Sequence, residues 1–240
     1  MAVHLIGGGR DEAALAELYG PFLTEAGPDP VVACILIDEG DGAESFAWWE
    51  SALRKVAPCR PEAVLVPIGG TLDPAALGTA DAVFVGGGLT PAYQAALSTP
   101  LAGYMAGRRL PYAGFSAGAA IAAQRTLVGG WMAAGVPVCP DETAEDLDEI
   151  EVREGLGLVD FVVDVHAAQW GTLPRLIEAV TQGNAEYGLA IDENTAVATA
   201  GVYADVRGLG RVHLVQATAG GVTVRAYRAG ERIKLNAVAF

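Results

Sequence analysis

Short apolar runs alternate with helical segments along most of this chain, and this alternation strongly restricts its fold. The runs with the length and composition of buried strands are Val3–Ile6, Val31–Ile37, Ala63–Pro67, Asp81–Val85, Leu110–Ala113, Phe161–Val165 and Gly188–Ile191. Helical segments separate them, as in residues 45–56, where Phe46, Trp49, Leu53 and Val56 recur on one face. This βαβ rhythm predicts an α/β fold with a doubly wound, mainly parallel sheet and helices on both faces.

The last part of the chain departs from this rhythm. Thr195–Ala200, Arg211–Ala217 and Val222–Tyr227 have the pattern of antiparallel strands, which we expect at the C-terminal edge of the sheet. No linker, repeat or low-complexity segment divides the chain, so we predict a single domain over residues 1–240. Exposed strand edges in this tail could support a homodimer.

Composition narrows the range of functions. The chain has 15 Lys and Arg against 29 Asp and Glu, which argues against a nucleic-acid partner because phosphates would be repelled. No apolar run reaches the ~18 residues of a membrane span. No signal peptide is evident and the three cysteines lack Cys-x-x-Cys spacing, so we expect a cytoplasmic protein with reduced thiols. No metal-binding cluster or cofactor fingerprint is found, which predicts chemistry without a metal or cofactor.

Gly114-Phe115-Ser116-Ala117-Gly118 joins an apolar run to the Ala-rich segment Ala119–Arg125, which we predict to be a helix. Gly-x-Ser-x-Gly between a strand and a helix is the signature of a nucleophile elbow, a strained turn that exposes the serine hydroxyl. Small residues on either side of Ser116 let the strand and the helix approach closely. A serine that merely caps the helix is the alternative interpretation.

A nucleophilic serine also requires donors for the oxyanion that forms on its substrate. The residue after the serine supplies one amide in such elbows, and Gly86-Gly87-Gly88, which ends another apolar run, could supply a second. Glycine-rich turns can instead cradle a phosphate, but neither turn has the spacing of a nucleotide-binding loop. We therefore predict an oxyanion hole formed by Gly87, Gly88 and Ala117.

A serine nucleophile requires a base, and the chain has three histidines. His4 and His213 lie inside predicted strands, where we expect structural roles. His166 follows the carboxyl end of the run Phe161–Val165, where open α/β sheets place their ligand sites. His166 is therefore the predicted base.

The third member of a triad is a carboxylate that orients the imidazole. Asp164 shares a strand face with the predicted base by the two-residue period, although it could point into the helix layer. Asp192 and Glu193 both close the next strand and point to opposite faces. Spacing alone does not choose among these three acids.

Four motifs together resemble the peptidase E/cyanophycinase family of serine peptidases. They are Phe84–Gly88, Gly114–Ala119, Gly155–Leu158 leading to Asp164-Val165-His166, and Ala190–Ala196. The resemblance covers about residues 3–200 and implies a fold like that of class I glutamine amidotransferases, with a serine nucleophile. It maps the family's serine to Ser116 and its histidine to His166. The cyanophycinase branch uses a glutamate that maps to Glu193, so the implied triad is Ser116, His166 and Glu193.

The chain departs from both branches of this family. In the peptidase E branch a catalytic aspartate occupies the position of Trp131. The cyanophycinase branch has arginines shortly after the histidine, where Trp170 and Thr172 stand here, while Gln169 and Arg175 are retained. The resemblance therefore implies retained machinery with a partly changed set of substrate-binding residues. The candidates that we predict for substrate binding are Trp131, Gln169, Trp170 and Arg175.

The prediction that results is a serine hydrolase that cleaves short peptides, as an exopeptidase or dipeptidase, through an acyl-enzyme. The acidic segment Pro140–Glu154 is expected to form a surface loop near the site. A charge should hold the substrate terminus, and the candidates are Arg125, Arg153 and Arg175 for a carboxylate and Asp141, Glu142 and Glu145 for an amine. The alternatives are a cyanophycinase-like isopeptidase acting on an aspartate-backbone polymer, and a non-catalytic amidotransferase-like binding protein.

Overall fold

The computed structural model describes residues 2–235, and its helices alternate with strands through about the first half of the chain. The strands are β1 (Val3–Ile6), β2 (Val31–Asp38), β3 (Arg60–Pro67), β4 (Ala82–Val85), β5 (Tyr112–Phe115), β6 (Arg125–Gly129), β7 (Met132–Ala133), β8 (Val136–Pro137), β9 (Glu151–Glu154), β10 (Val162–Val165), β11 (Tyr187–Ile191), β12 (Thr195–Ala200), β13 (Tyr203–Gly208), β14 (Arg211–Thr218), β15 (Gly221–Arg228) and β16 (Arg232–Lys234). The α-helices are α1 (Leu15–Ala26), α2 (Gly42–Val56), α3 (Thr90–Met105), α4 (Ala117–Ile121) and α5 (Leu173–Thr181).

The main sheet has the order β16-β13-β12-β1-β5-β4-β2-β3. Strands β1, β5, β4, β2 and β3 are parallel, whereas β12, β13 and β16 pair antiparallel on one side. This arrangement confirms the predicted α/β class and the antiparallel strands at the edge formed by the end of the chain.

Alternation along the parallel strands places a helix layer on each face of the sheet. In β2, Cys34 and Leu36 pack with α1 and α2, whereas Ile35 packs on the opposite face with α3 and α4. Because both faces are covered, β2 is apolar from Val31 to Ile37 instead of alternating with polar residues. Within residues 2–235, no helix combines the length and the apolar character needed to cross a membrane.

A second sheet, with the order β10-β11-β14-β15, was not expected. The strands predicted at Phe161–Val165 and Gly188–Ile191 are β10 and β11, and they pair in parallel with each other outside the main sheet. The strands predicted at Arg211–Ala217 and Val222–Tyr227 are β14 and β15, and they extend this sheet, which corrects their placement at the main sheet's edge.

Several predicted boundaries also differ. The elbow strand runs from Tyr112 to Phe115, and the helix after it ends at Ile121, because Arg125 already begins β6. Pro140–Glu154 is not a loop throughout: it contains a 3₁₀ turn at Asp141–Thr143, and its last residues form β9, which pairs with β6.

Candidate active site

Ser116 lies on a strained turn between β5 and α4. Its φ of 51° and ψ of −113° lie where an L-residue is rarely found, as a nucleophile elbow requires. A Cβ at Gly114 would collide with the carbonyl of Gly118, and one at Gly118 would collide with the carbonyl of Val85. The two flanking glycines are therefore needed because strand, turn and helix are in direct backbone contact.

His166 is the first residue after β10, and its side chain meets the serine. Its Nε2 lies 2.8 Å from the Ser116 Oγ, and only 6% of the residue is exposed. The His166 amide donates to the carbonyl of Gly7, which follows β1, at 2.9 Å. This bond brings the end of the second sheet against the end of the main sheet, which is why residues 50 positions apart meet.

Glu193 completes a line of three side chains. Its Oε1 lies 2.8 Å from the Nδ1 of His166. With Nδ1–H donating to this carboxylate, Nε2 is left as the acceptor for the serine hydroxyl. The amide of Glu193 in turn donates to the Oε1 of Gln169 at 2.8 Å, so that Gln169 fixes the backbone that carries the glutamate.

The other two candidate acids have different partners. Asp164 receives two hydrogen bonds from the guanidinium of Arg175, at 2.7 and 3.0 Å. Asp192 accepts from the amides of Ala168 and Arg211, at 3.0 and 2.9 Å. Both carboxylates are therefore engaged away from the imidazole, and of the three acids only Glu193 contacts it.

Burial lowers the pKa of His166 below its ordinary value of 6.5, because a charged ring would lose its hydration. The hydrogen bond and the negative charge of Glu193 act in the opposite direction without reversing the shift. At neutral pH the imidazole is therefore uncharged, and it can accept a proton from the serine.

Of the predicted oxyanion-hole residues, Ala117 follows the serine directly, and Gly87 and Gly88 line the same cleft as Ser116. A Cβ at Gly87 would lie 2.8 Å from the Cβ of Ser116, so this glycine-rich turn packs directly on the elbow. The amides of Gly87, Gly88 and Ala117 donate to no acceptor within residues 2–235. They are therefore free to donate to a substrate oxygen.

A cleft of about 880 Å³ opens over Ser116. Among its described lining residues the carboxylates are Glu39, Asp141, Glu142, Glu145, Asp146 and Glu193. Arg10 supplies the only guanidinium or ammonium among them. The guanidinium stacks on the rings of Trp48 and Trp49, at 4.6 and 5.8 Å from their centroids, and forms no ion pair with a described residue.

The four predicted substrate-binding residues differ in their placement. Trp170 lines the cleft and stacks on His166, whereas Gln169 supports Glu193. Trp131 is absent from the cleft wall, and its indole nitrogen faces Asp148 at 3.5 Å. Arg175 is 5% exposed and saturated by Asp164 and backbone carbonyls, so the expectation that it binds substrate is corrected.

The remaining candidate cations do not reach the cleft either. Arg125 and Arg153 line a separate surface depression, and Arg153 pairs with Glu151 at 2.7 Å. Arg10 and Glu39 were missed, although each follows the carboxyl end of a parallel strand, where the sheet rule places ligand sites. No group of three His, Cys, Asp or Glu side chains within residues 2–235 is placed to share a metal ion.

The fold and the sequence together define a peptidase. Residues 71–206 match peptidase family S51, and the chain belongs to this family. The resemblance to the peptidase E/cyanophycinase family is thereby confirmed. A crystal structure of a peptidase from an acI-B1 Actinobacterium has 17% sequence identity and a TM-score of 0.67, over 98% of this chain and 96% of that chain. At this identity the likeness shows a shared fold. No curated protein sequence matches the chain.

Proposed function

We propose that this S51 peptidase is a serine exopeptidase that cleaves short peptides with Ser116, His166 and Glu193. The observation that carries the proposal is the pair of 2.8 Å contacts that join the serine hydroxyl to the imidazole and the imidazole to the carboxylate. A serine hydroxyl is almost fully protonated at neutral pH, and a base aligned in this way is what activates it.

The reaction follows from these contacts. The Ser116 oxygen attacks the peptide carbonyl while Nε2 of His166 takes the hydroxyl proton, and Glu193 stabilises the resulting imidazolium. The imidazolium then gives its proton to the leaving amine as the C–N bond breaks, which leaves an ester on the serine. Water attacks this ester as the imidazole takes its proton, the bond between the carbonyl carbon and the Ser116 oxygen breaks, and the imidazolium returns the proton to that oxygen as the acid product leaves.

Free backbone amides beside the serine support the proposed stabilisation of an oxyanion during this reaction. A carbonyl oxygen that becomes an oxyanion above Ser116 would accept from Ala117 on the elbow and from Gly88 or Gly87 on the facing turn. Loss of one such donor costs about 10²–10³ in rate in other serine enzymes. No side chain is needed for this stabilisation.

The charges of the cleft support short peptides with free ends as substrates. Carboxylates dominate the described lining, so a protonated amino terminus is attracted to the cleft. Arg10, held on two tryptophan rings and free of any described ion pair, is available for a substrate carboxylate. A short peptide carries both terminal charges close to its scissile bond, whereas an internal segment of a folded protein lacks these termini.

Labelling with a fluorophosphonate probe tests the nucleophile. We expect wild-type protein to be labelled at Ser116, Ser116→Ala to remain unlabelled, and the exposed Ser51→Ala to be labelled normally. Labelling that persists in Ser116→Ala would refute the assignment. Protein that resists the probe and cleaves no peptide would be a binding protein instead.

A peptide library analysed by mass spectrometry tests the substrate class. It should contain di- to decapeptides with free, acetylated and amidated ends, together with an aspartate-backbone polymer bearing side-chain-linked residues. Cleavage restricted to terminal bonds of free peptides supports the proposal. Cleavage of internal bonds, or of the polymer alone, would overturn the exopeptidase assignment.

A further inference from the structure

Trp170 lies flat on the imidazole of His166. The ring centroids are 3.8 Å apart and the planes differ by 7°. The stack is held by the backbone, because the amide of Trp170 donates to the carbonyl of His166 at 2.8 Å. The tryptophan is nevertheless 44% exposed, a large value for an indole, and its outer part forms a wall of the cleft.

The indole covers one face of the His166 imidazole, and other residues contact the edges of this ring. Ser116 and Glu193 occupy the two imidazole nitrogens. The backbone at Gly8 is so close to Cε1 and Nδ1 that a Cβ there would collide with them. With Trp170 on its face, the imidazole cannot tilt out of the serine–glutamate line without displacing the indole.

The stack with Trp170 also affects the stability of the protonated, charged form of His166. Four charged or polar groups act on His166: Glu193 and Asp164 favour its protonated form, Arg175 opposes it, and Ser116 contacts Nε2. Burial disfavours the cation more strongly than any of these contacts favours it. An indole face attracts a cation more strongly than any other side-chain ring, so Trp170 offsets part of this cost when the ring is charged.

We propose that Trp170 is a positioning residue that fixes the plane of His166 and stabilises the imidazolium formed as Ser116 attacks. The inference rests on the proposed function, because that reaction is what charges the ring. In this inference Trp170 acts on His166, whereas the sequence predicted that it binds the substrate.

Rates in three variants test this role. Trp170→Leu retains an apolar cover but removes the aromatic face, Trp170→Phe retains a face, and Trp131→Leu removes an indole that does not line the cleft. We expect Trp170→Leu to lower kcat/KM by about 2- to 30-fold, the range of a cation–π contact. The same factor should apply to every peptide and to inactivation by a small fluorophosphonate. Trp170→Phe should lower kcat/KM by a smaller factor, and Trp131→Leu should leave kcat/KM unchanged.

An NMR titration provides a test that requires no activity. The chain has three histidines, so the Cε1–H signal of His166 can be assigned with a His166→Gln variant. We expect Trp170→Leu to lower the pKa of His166 relative to Trp170→Phe. An unchanged or raised value in Trp170→Leu overturns the inference, as does a loss confined to KM that varies from peptide to peptide. If the wild-type protein cleaves no peptide, the proposed function fails while this titration still decides whether the indole stabilises the cation.

Discussion

Arg175 donates two hydrogen bonds to Asp164, at 2.7 and 3.0 Å, and both side chains are buried. The same guanidinium donates to the carbonyl of Thr143 at 2.7 Å, so it connects β10, the strand that His166 follows, to the acidic side of the cleft. Burial would lower the pKa of Arg175, but Asp164 outweighs this effect and raises it. Arg175 therefore stabilises the acidic side of the cleft without lining the cleft itself.

Replacing Arg175 should destabilise the whole protein. Arg175→Leu leaves the Asp164 carboxylate buried without its partner, which costs about 3–5 kcal/mol in comparable cases. Arg153→Leu is the matched control, because Arg153 also pairs with a carboxylate, Glu151, but at the surface; its loss should stay below about 1 kcal/mol. Urea denaturation of the two variants measures the difference, and equal losses would contradict the structural role of Arg175.

Removing the charge of Glu193 should reduce the rate much more than it reduces stability. Glu193→Gln keeps a group of similar size but loses the carboxylate that stabilises the imidazolium, so kcat should fall by about 10²–10⁴-fold. The exposed Glu186→Gln is the control and should leave kcat unchanged. Steady-state kinetics on one dipeptide and one tripeptide checks both variants, and a fall of less than about 5-fold would exclude Glu193 as the third member.

The pH dependence of kcat/KM should report the lowered pKa of His166. Only the neutral imidazole can take the serine proton, so activity is lost as the pH falls through that pKa, with a midpoint below 6.5. Because Glu193 raises this pKa, the midpoint in Glu193→Gln should move further toward acid. A pH–rate profile from 4.5 to 8.5 gives both midpoints, and a wild-type midpoint above 7 would be inconsistent with a buried base.

Arg10 should discriminate between peptides with a free and a blocked carboxyl end. Arg10→Leu should raise KM for free peptides by up to about 5-fold, which corresponds to the upper value of about 1 kcal/mol for an exposed charge pair, and should leave KM for amidated peptides unchanged. Arg108→Leu is the matched control, since Arg108 also stacks on a ring, that of Tyr104 at 4.3 Å, but does not line the cleft. An equal effect on both kinds of peptide would mean that Arg10 does not bind a carboxylate.

The parts of the site that sequence could predict are those with a local signature. Ser116 lies between two glycines that are required because the backbones around them are in contact. His166 directly follows an apolar run, which forms β10. Strand spacing does not distinguish Glu193 from Asp192, and only the resemblance to the family indicates Glu193. The choice depends on which side of the turn after β11 faces the imidazole, and no local pattern encodes that orientation.

The features that sequence could not predict depend on long-range pairing. Apolar runs identify β10 and β11 as strands but do not specify that they leave the main sheet. Arg175 is a cation on a helix with a strongly apolar face, and only its pairing with Asp164 explains why it is buried. Arg10 and Glu39 belong to different parts of the chain, and their common cleft exists only once β1 and β2 share a sheet.

The position of β1 has a consequence for biosynthesis. It lies between β5 and β12, and Val3 is opposite both Tyr112 and Thr199, so both neighbours of this strand are synthesised long after it. Gly7, which accepts from His166, also donates to Thr195 on β12. A chain that has not yet been translated through β12 therefore lacks the contacts that align the imidazole, and hydrolytic capacity should arise only after this strand has left the ribosome.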